Sequence, residues 1–215
     1  MEYHKIETLF ERDEQTQKVF PDKLKNPVYG IFKRWQFTEK IDGTNIRCIW
    51  YPADPHGGTP KLSFGGRTDN AQIHADLIKW LYENITIEKM ALAFPATNAI
   101  VYGEGYGAGI QKGGGGYSKT KQFIVFDVLV GGKWWLNWEN TCDVASKLGL
   151  KTVPFIGDMT LEEGVEMVRK GFDSVLAKEN TGEIIPAEGM VGRTVETLFD
   201  KKGSRIIIKL KTRDF

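Results

Sequence analysis

Cysteine and histidine are scarce in this 215-residue chain: two cysteines, Cys48 and Cys142, and three histidines, His4, His56 and His74. Two distant cysteines build no disulfide framework, and neither residue type recurs at metal-ligand spacing. An excess of charge is lacking too. The 29 basic and 28 acidic residues leave a net charge of +1, which excludes a histone-like basic coat and an acidic solvating tail. No apolar run reaches the ~18 residues of a membrane span. The start, Met1-Glu2-Tyr3-His4-Lys5, has no apolar segment of a secretion signal. These absences predict a soluble, cytoplasmic protein of a reducing compartment, without membrane partners. Any nucleic-acid contact must then come from a local patch.

The length predicts a single domain over residues 1–215 with a sizeable core. Glycine is abundant at 24 residues. Eight of the fourteen residues from Gly103 to Gly116 are glycine, which predicts a mobile surface loop, with a lid over a phosphate site as the functional alternative. Strand signals dominate. Phe37 to Trp50 reads as two extended runs around Asp42-Gly43, a hairpin turn pair, with Ile46, Cys48 and Trp50 on one face. Further strands are expected at Ala99–Gly103, at Phe123–Val130 turning through Gly131-Gly132, at Gly189–Thr194 and at Arg205–Lys211. Three helices are expected. Asp69 or Asn70 caps a run carrying Ile73, Leu77, Ile78 and Leu81. Asn137 to Leu148 ends at Gly149. Thr160 and Glu163 form a capping box before Val165 and Val168. Strands and helices do not alternate strictly, so the class is α+β with mostly antiparallel sheets flanked by helices.

Several short segments carry chemistry. In Glu39-Lys40-Ile41-Asp42-Gly43-Thr44-Asn45, a lysine at a strand end can project its amine into a cleft. Such an amine is a useful nucleophile once burial or neighbouring cations lower its pKa. The pattern Lys-x-Asp-Gly alone is weak, since it arises by chance in roughly one chain in twenty of this length, and an exposed turn is the plain alternative. Near the C-terminus, period-two alternation puts Ile206, Ile208 and Leu210 on one face and Lys209 and Lys211 on the other. Two adjacent ammonium groups repel unless an anion such as phosphate bridges them, or unless the face is simply solvated. Glu188 precedes Gly189, where a ligand can approach the backbone, and its carboxylate could neutralise lysine charge or hold a divalent metal. Glu104 lies between Gly103 and Gly105. Phe126 and Asp127 sit in an apolar strand, where the Asp needs a partner and the Phe is core or a stacking platform. Arg67 follows Gly65-Gly66, a place to hold phosphate or ribose. Trp134, Trp135 and Trp138 read as hairpin core, with base stacking as the alternative. Cys48 and Cys142 read as buried small residues.

The order of these segments is specific. Lys-x-Asp-Gly, Arg, Gly-Glu-Gly, Phe-Asp, Glu-Gly-x-Val and Lys-x-Lys resembles the motif series of the covalent nucleotidyltransferases, the polynucleotide ligases and mRNA capping enzymes. The resemblance runs from about Phe37 to Lys211. Glu39-Lys40-Ile41-Asp42-Gly43-Thr44-Asn45, Phe126-Asp127 and Ile207-Ile208-Lys209-Leu210-Lys211 are most similar to the RNA ligase 2 and RNA-editing ligase branch. The resemblance implies the ATP-grasp-like nucleotidyltransferase fold, and ATP with Mg²⁺ or Mn²⁺. It also implies RNA with nicked or otherwise paired ends as partner. Lys40 would attack the α-phosphate of ATP, and AMP would pass to an RNA 5′-phosphate before a 3′-hydroxyl displaces it. Arg67 would contact phosphate, Glu104 the ribose and Phe126 the adenine. Glu188 would lie by the metal and nucleophile, and Lys209 and Lys211 would grip the α-phosphate. Glu39 and Asn45 would shape the pocket, with Asp42 and Asp127 in support. Asp42 stands where some RNA ligases of this branch have His.

Only four residues follow Lys211. That predicts a bare catalytic domain with no OB-fold domain, for which an accessory partner supplies nick binding. Residues Glu196–Phe215 carry six basic and three acidic side chains, a modest net +3 patch. A minimal ATP-dependent DNA ligase differs only in the acceptor. A capping guanylyltransferase is disfavoured by the lack of an accessory domain. A nucleotide- or RNA-binding module without ligase activity is opposed by the full set Lys40, Glu104, Glu188, Lys209 and Lys211.

Overall fold

The computed structural model describes residues 1–54 and 57–215; His56 lies outside the described residues. In chain order the strands are β1 (Glu7–Thr8), β2 (Phe10–Arg12), β3 (Val19–Leu24), β4 (Trp35–Glu39), β5 (Thr44–Tyr51), β6 (Lys61–Gly65), β7 (Ala99–Tyr106), β8 (Gln122–Val130), β9 (Trp134–Trp135), β10 (Phe155–Met159), β11 (Gly189–Arg193) and β12 (Ile207–Lys211). The α-helices are α1 (Ala75–Asn84), α2 (Ile87–Ala93), α3 (Gly114–Tyr117), α4 (Trp138–Leu148), α5 (Leu161–Lys170) and α6 (Val175–Thr181). This is the expected α+β class. Among the described residues, no helix is long and apolar enough to cross a membrane.

The chain forms two compact units, one of Met1–Tyr3 with Asp42–Thr152, the other of His4–Ile41 with Val153–Phe215. The first unit holds an antiparallel sheet in the order β6-β5-β7-β8-β9. Alternation along β5 puts Ile46, Cys48 and Trp50 on one face, all at most 1% exposed. They pack with Leu77 and Leu81 of α1, Met90 of α2 and Val144 and Leu148 of α4. Burial pushes the Cys48 thiol far up, so it is inert apolar filling. Cys142, by contrast, is only half-buried, its thiol 3.9 Å from the Thr152 hydroxyl.

The second unit holds the sheet β1-β12-β11-β4-β10, antiparallel except for the β1–β12 pair. Phe37 of β4, Met190 of β11 and Ile208 and Leu210 of β12 pack against Leu161, Val165 and Val168 of α5. The α5 start is the expected capping box: the Thr160 hydroxyl accepts from the Glu163 N–H at 3.2 Å, and the Glu163 carboxylate accepts from the Thr160 N–H at 2.8 Å.

Four expectations change. The runs flanking Asp42-Gly43 are not a hairpin. β4 pairs with β10 and β11, while β5 pairs with β6 and β7, so the segment passes between sheets. Gly43 serves close approach instead: a Cβ there would sit 2.2 Å from the Gly105 carbonyl oxygen. The first helix is capped by His74, whose Nδ1 accepts from the Asp76 N–H at 3.2 Å; neither Asp69 nor Asn70 caps it. Asp69 instead accepts from Arg47 at 2.8 Å. The glycine-rich stretch is not a loop throughout. Its start continues β7 and its end forms α3, with Tyr117 buried against Tyr106, ring centroids 6.4 Å apart. Trp134 is 66% exposed rather than core, while Trp135 stacks on Tyr102 at 5.3 Å and Trp138 is buried.

Candidate active site

In the second unit, three strand ends meet. β4 ends at Glu39, so Lys40 follows it; β11 begins at Gly189, so Glu188 precedes it; β12 ends at Lys211. Antiparallel pairing sets Gly189 opposite Lys211 and Met190 opposite both Leu210 and Glu39, which brings the three ends to one edge. Two backbone bonds fix the edge: the Lys40 N–H donates to the Gly189 carbonyl at 2.9 Å, and the Thr212 N–H to the Glu188 carbonyl at 2.9 Å. Gly189 is required here. Its φ is +148°, and a Cβ would lie 2.0 Å from the Leu210 carbonyl oxygen.

The Lys40 ammonium donates to Oε2 of Glu188, and the Lys211 ammonium lies 2.8 Å from Oε1 of the same carboxylate. The three side chains are only 15–23% exposed. Burial pushes the Glu188 carboxyl up, but the Lys40 charge and the bonds from Lys211 and Lys40 outweigh it, so it is held below the usual carboxylate range. Lys209, two residues before Lys211 on the same strand face, is half-buried and has no such carboxylate bond among the described residues. Burial, then the charges of Lys211 and Lys40, push its ammonium down to about 8. The cluster therefore offers an amine, a carboxylate that screens it, and a neighbouring cation that an incoming anion would stabilise.

Glu39 points elsewhere. It is 1% exposed, accepting from the Ser174 hydroxyl at 2.5 Å and from the Leu176 N–H at 3.1 Å at the start of α6. Burial pushes its carboxyl up, and those donors only partly offset it.

The first unit holds the other expected residues. Asn45 and Glu104 are direct cross-strand partners in β5 and β7, so their side chains share the face opposite Ile46. Among the described residues, the buried Asn45 Oδ1 has no hydrogen-bond partner. Phe126 is the extra residue of a bulge: Tyr102 pairs with Asp127, but Gly103 pairs with Val125. Asp127 is fully buried and accepts from the Tyr3 hydroxyl at 2.8 Å, while the Tyr3 ring meets Phe126 edge-on at 5.1 Å. Asp42 is half-buried, and Arg67 is exposed.

Three residues escaped the sequence reading. Ser174 buries and binds Glu39; a Ser before an apolar run was its only signal. Arg47, 2% exposed, donates to the Gly66 carbonyl at 2.7 Å and to Asp69, holding the loop that carries Arg67. Tyr3 anchors the bulge at Phe126. Neither Arg47 nor Tyr3 has a local signature, because its partners lie 19 or more positions away.

Among the described residues, no group of three or more His, Cys, Asp or Glu side chains is placed to hold a metal ion. Glu188 is engaged by two lysines. It fits Mg²⁺ or Mn²⁺ only as one carboxylate beside phosphate and water ligands, the usual way such ions bind at phosphoryl-transfer sites.

The sequence model of the family "RNA ligase" matches residues 33–211. No curated protein matches the chain. Among solved structures, a variant of the Naegleria gruberi RNA ligase with ATP and Mn superposes with a TM-score of 0.68 at 18% identity, covering 98% of this chain and 56% of that one. A second variant, with AMP and Mn, gives 0.66 at 19%, covering 97% and 60%. The same enzyme with pyrophosphate gives 0.64 at 18%, covering 97% and 59%. This chain thus spans less than two thirds of those chains, and at such identity the likeness is one of fold. With the family's sequence model running from Lys33 to Lys211, across Lys40, Glu188 and Lys209, the chain belongs to the RNA ligase family.

Proposed function

We propose that this chain is the nucleotidyltransferase domain of an ATP-dependent RNA ligase, with both units belonging to that one domain. The observation that carries the reading is Glu188 held between Lys40 and Lys211 at one sheet edge.

Lys40 is the nucleophile. Its ammonium loses a proton, and its Nζ forms a P–N bond to the α-phosphorus of ATP. The bond to the bridging oxygen breaks, and pyrophosphate leaves with that electron pair. Glu188 is a weak base, since its carboxyl is held below the usual range. Its role is to orient the amine, and the proton passes to solvent. Lys209 and Lys211 neutralise charge building on the phosphate oxygens, which is most of what phosphoryl transfer asks of a protein. An oxygen of an RNA 5′-phosphate then attacks the same phosphorus, the P–N bond breaks, and the amine is restored. A 3′-hydroxyl next attacks the activated RNA phosphate, and AMP leaves. Glu188, with the substrate phosphates, would hold Mg²⁺ or Mn²⁺, which when bound neutralises phosphate charge.

Arg67, Glu104, Phe126 and Asn45 are proposed as nucleotide contacts, with Asp42 and Asp127 in support. Glu39 is proposed to act through Ser174 and α6, as a support of the Lys40 strand end.

Incubation with ATP labelled at the α-phosphate and Mg²⁺ should label the protein, and Lys40→Ala should abolish the label. Nicked RNA duplex should then be sealed in preference to DNA. Label from GTP alone would indicate a capping enzyme. Preferential sealing of DNA would indicate a DNA ligase. No label would leave a binding module.

A further inference from the structure

The second unit carries a groove of about 910 Å³ lined by Lys209 and Lys211 of β12, by Lys5 and β1, and by the β2–β3 turn. Its walls are built, not loose. The Asp13 carboxylate accepts from the Thr16 N–H at 2.7 Å and the Thr16 hydroxyl at 2.8 Å, and the Asp13 N–H donates to the Lys18 carbonyl at 2.9 Å. Arg12 ties this turn to the chain end, donating to the Gln17 carbonyl at 2.8 Å and pairing with Asp214. β1 lies beside β12 with Thr8 opposite Lys209.

Charge along the groove is uneven once internal pairs are removed. Lys25 is paired with Glu7, Arg12 with Asp214 and Glu11 with Lys23. Among the described residues, Lys5, Lys18, Lys209 and Arg213 have no ion-pair partner, against Asp13 and Glu14 as the acids without one, the Asp13 carboxylate being taken up by Thr16. Four cations from three separate segments therefore line one continuous depression. Burial is the main reason the Lys209 ammonium is lowered; the charges of Lys211 and Lys40 add to it, Lys5 of the groove adds a smaller push, and Glu7 opposes them.

We propose that this groove is a phosphodiester-backbone site, in which Lys5, Lys18 and Arg213 hold the RNA strand on its way into the Lys40 cluster. The proposal rests on the RNA ligase reading for the identity of the polyanion. Small-molecule sites span ~300–1,000 Å³, so the groove is large for an inorganic phosphate or a pyrophosphate. Its cations are also spread over β1's approach, the β2–β3 turn and the segment after β12, which suits a chain of phosphates. A backbone grip of this kind carries no sequence information and only sets position.

The test is a triple charge reversal, Lys5→Glu, Lys18→Glu and Arg213→Glu, all at exposed positions, with Lys61→Glu, Lys79→Glu and Lys133→Glu as an equal reversal elsewhere. A fluorescent nicked RNA duplex is titrated at several salt concentrations, and ATP and pyrophosphate are titrated separately. The groove variant is expected to lose at least tenfold in RNA affinity. Its slope of log K against log salt should flatten by about 2, since each lost phosphate contact removes ~0.7–0.9. The control variant should lose markedly less. Unchanged RNA affinity and slope, or equal losses in both variants, would overturn the proposal. Loss of pyrophosphate or ATP affinity with RNA binding intact would assign the groove to the triphosphate and also overturn it. Label transfer from ATP to Lys40 in the wild-type chain, measured beside these, reports on the ligase reading independently.

Discussion

The Lys40 ammonium is bound to the Glu188 carboxylate, a residue 148 positions further along the chain, across the adjoining ends of β4 and β11. This pair joins the amine to the acid that restrains it. Its second carboxylate oxygen serves Lys211, so one residue governs both cations.

Glu188→Gln keeps the shape but removes the charge. It leaves two half-buried ammonium groups facing an amide. Transfer of label from ATP to the protein is expected to slow by ~10²-fold or more, the scale of losing one preorganised electrostatic contact. A rate within threefold of wild type, measured by quenched-flow labelling, would show that Glu188 is scaffolding only.

Lys209 sets a pH dependence. Its folded ammonium titrates near 8 because it is buried and flanked by Lys211, Lys40 and Lys5, with Glu7 as the opposing charge. Below that value it is charged and attracts phosphate; above it the attraction fades. ATP affinity, followed by calorimetry from pH ~6.5 to ~9.5, should therefore fall as pH rises through about 8. A bound phosphate favours the charged form, so the midpoint should move upward in the complex. Lys209→Arg stays charged across this range, and its affinity profile should be flat.

Ser174→Ala removes the hydroxyl donor from the buried Glu39 carboxyl, leaving that group poorly satisfied. The cost is expected to be about 1–3 kcal/mol. For a chain of this size that lowers Tm by roughly 2–4 °C per kcal/mol. Ser174→Thr keeps the donor, and thermal melts should place it closer to wild type than the alanine variant.

Gly189→Ala forces a side chain into a φ of +148° and against the Leu210 carbonyl. Strain of about 1–3 kcal/mol is expected, relieved only by parting β11 from β12 where Glu188 meets Lys211. Both Tm and the labelling rate should drop. A variant that melts lower but labels at the wild-type rate would separate the strand pairing from the cluster.

Much of this was legible from residue order. Caps at Asn137 and Thr160, the buried alternation Ile46-Cys48-Trp50 and the split of β12 into Ile208 and Leu210 against Lys209 and Lys211 are local patterns, set by sterics and hydrogen bonds within a few residues. The family motifs were legible for the same reason, since each is a short run around one chemical group. What no local pattern contains is which strand ends adjoin. Asp42-Gly43 has the composition of a hairpin turn, yet β4 found β10 and β11 while β5 found β6 and β7, because burial of Phe37 and of Ile46 against different helices outweighed the turn's preference. The same long-range choice placed Glu39 under Ser174, set Arg47 beneath the Arg67 loop and gave Glu188 two lysines. Each of those contacts joins segments at least 19 residues apart, and only the packing of the whole chain brings their atoms within bonding distance.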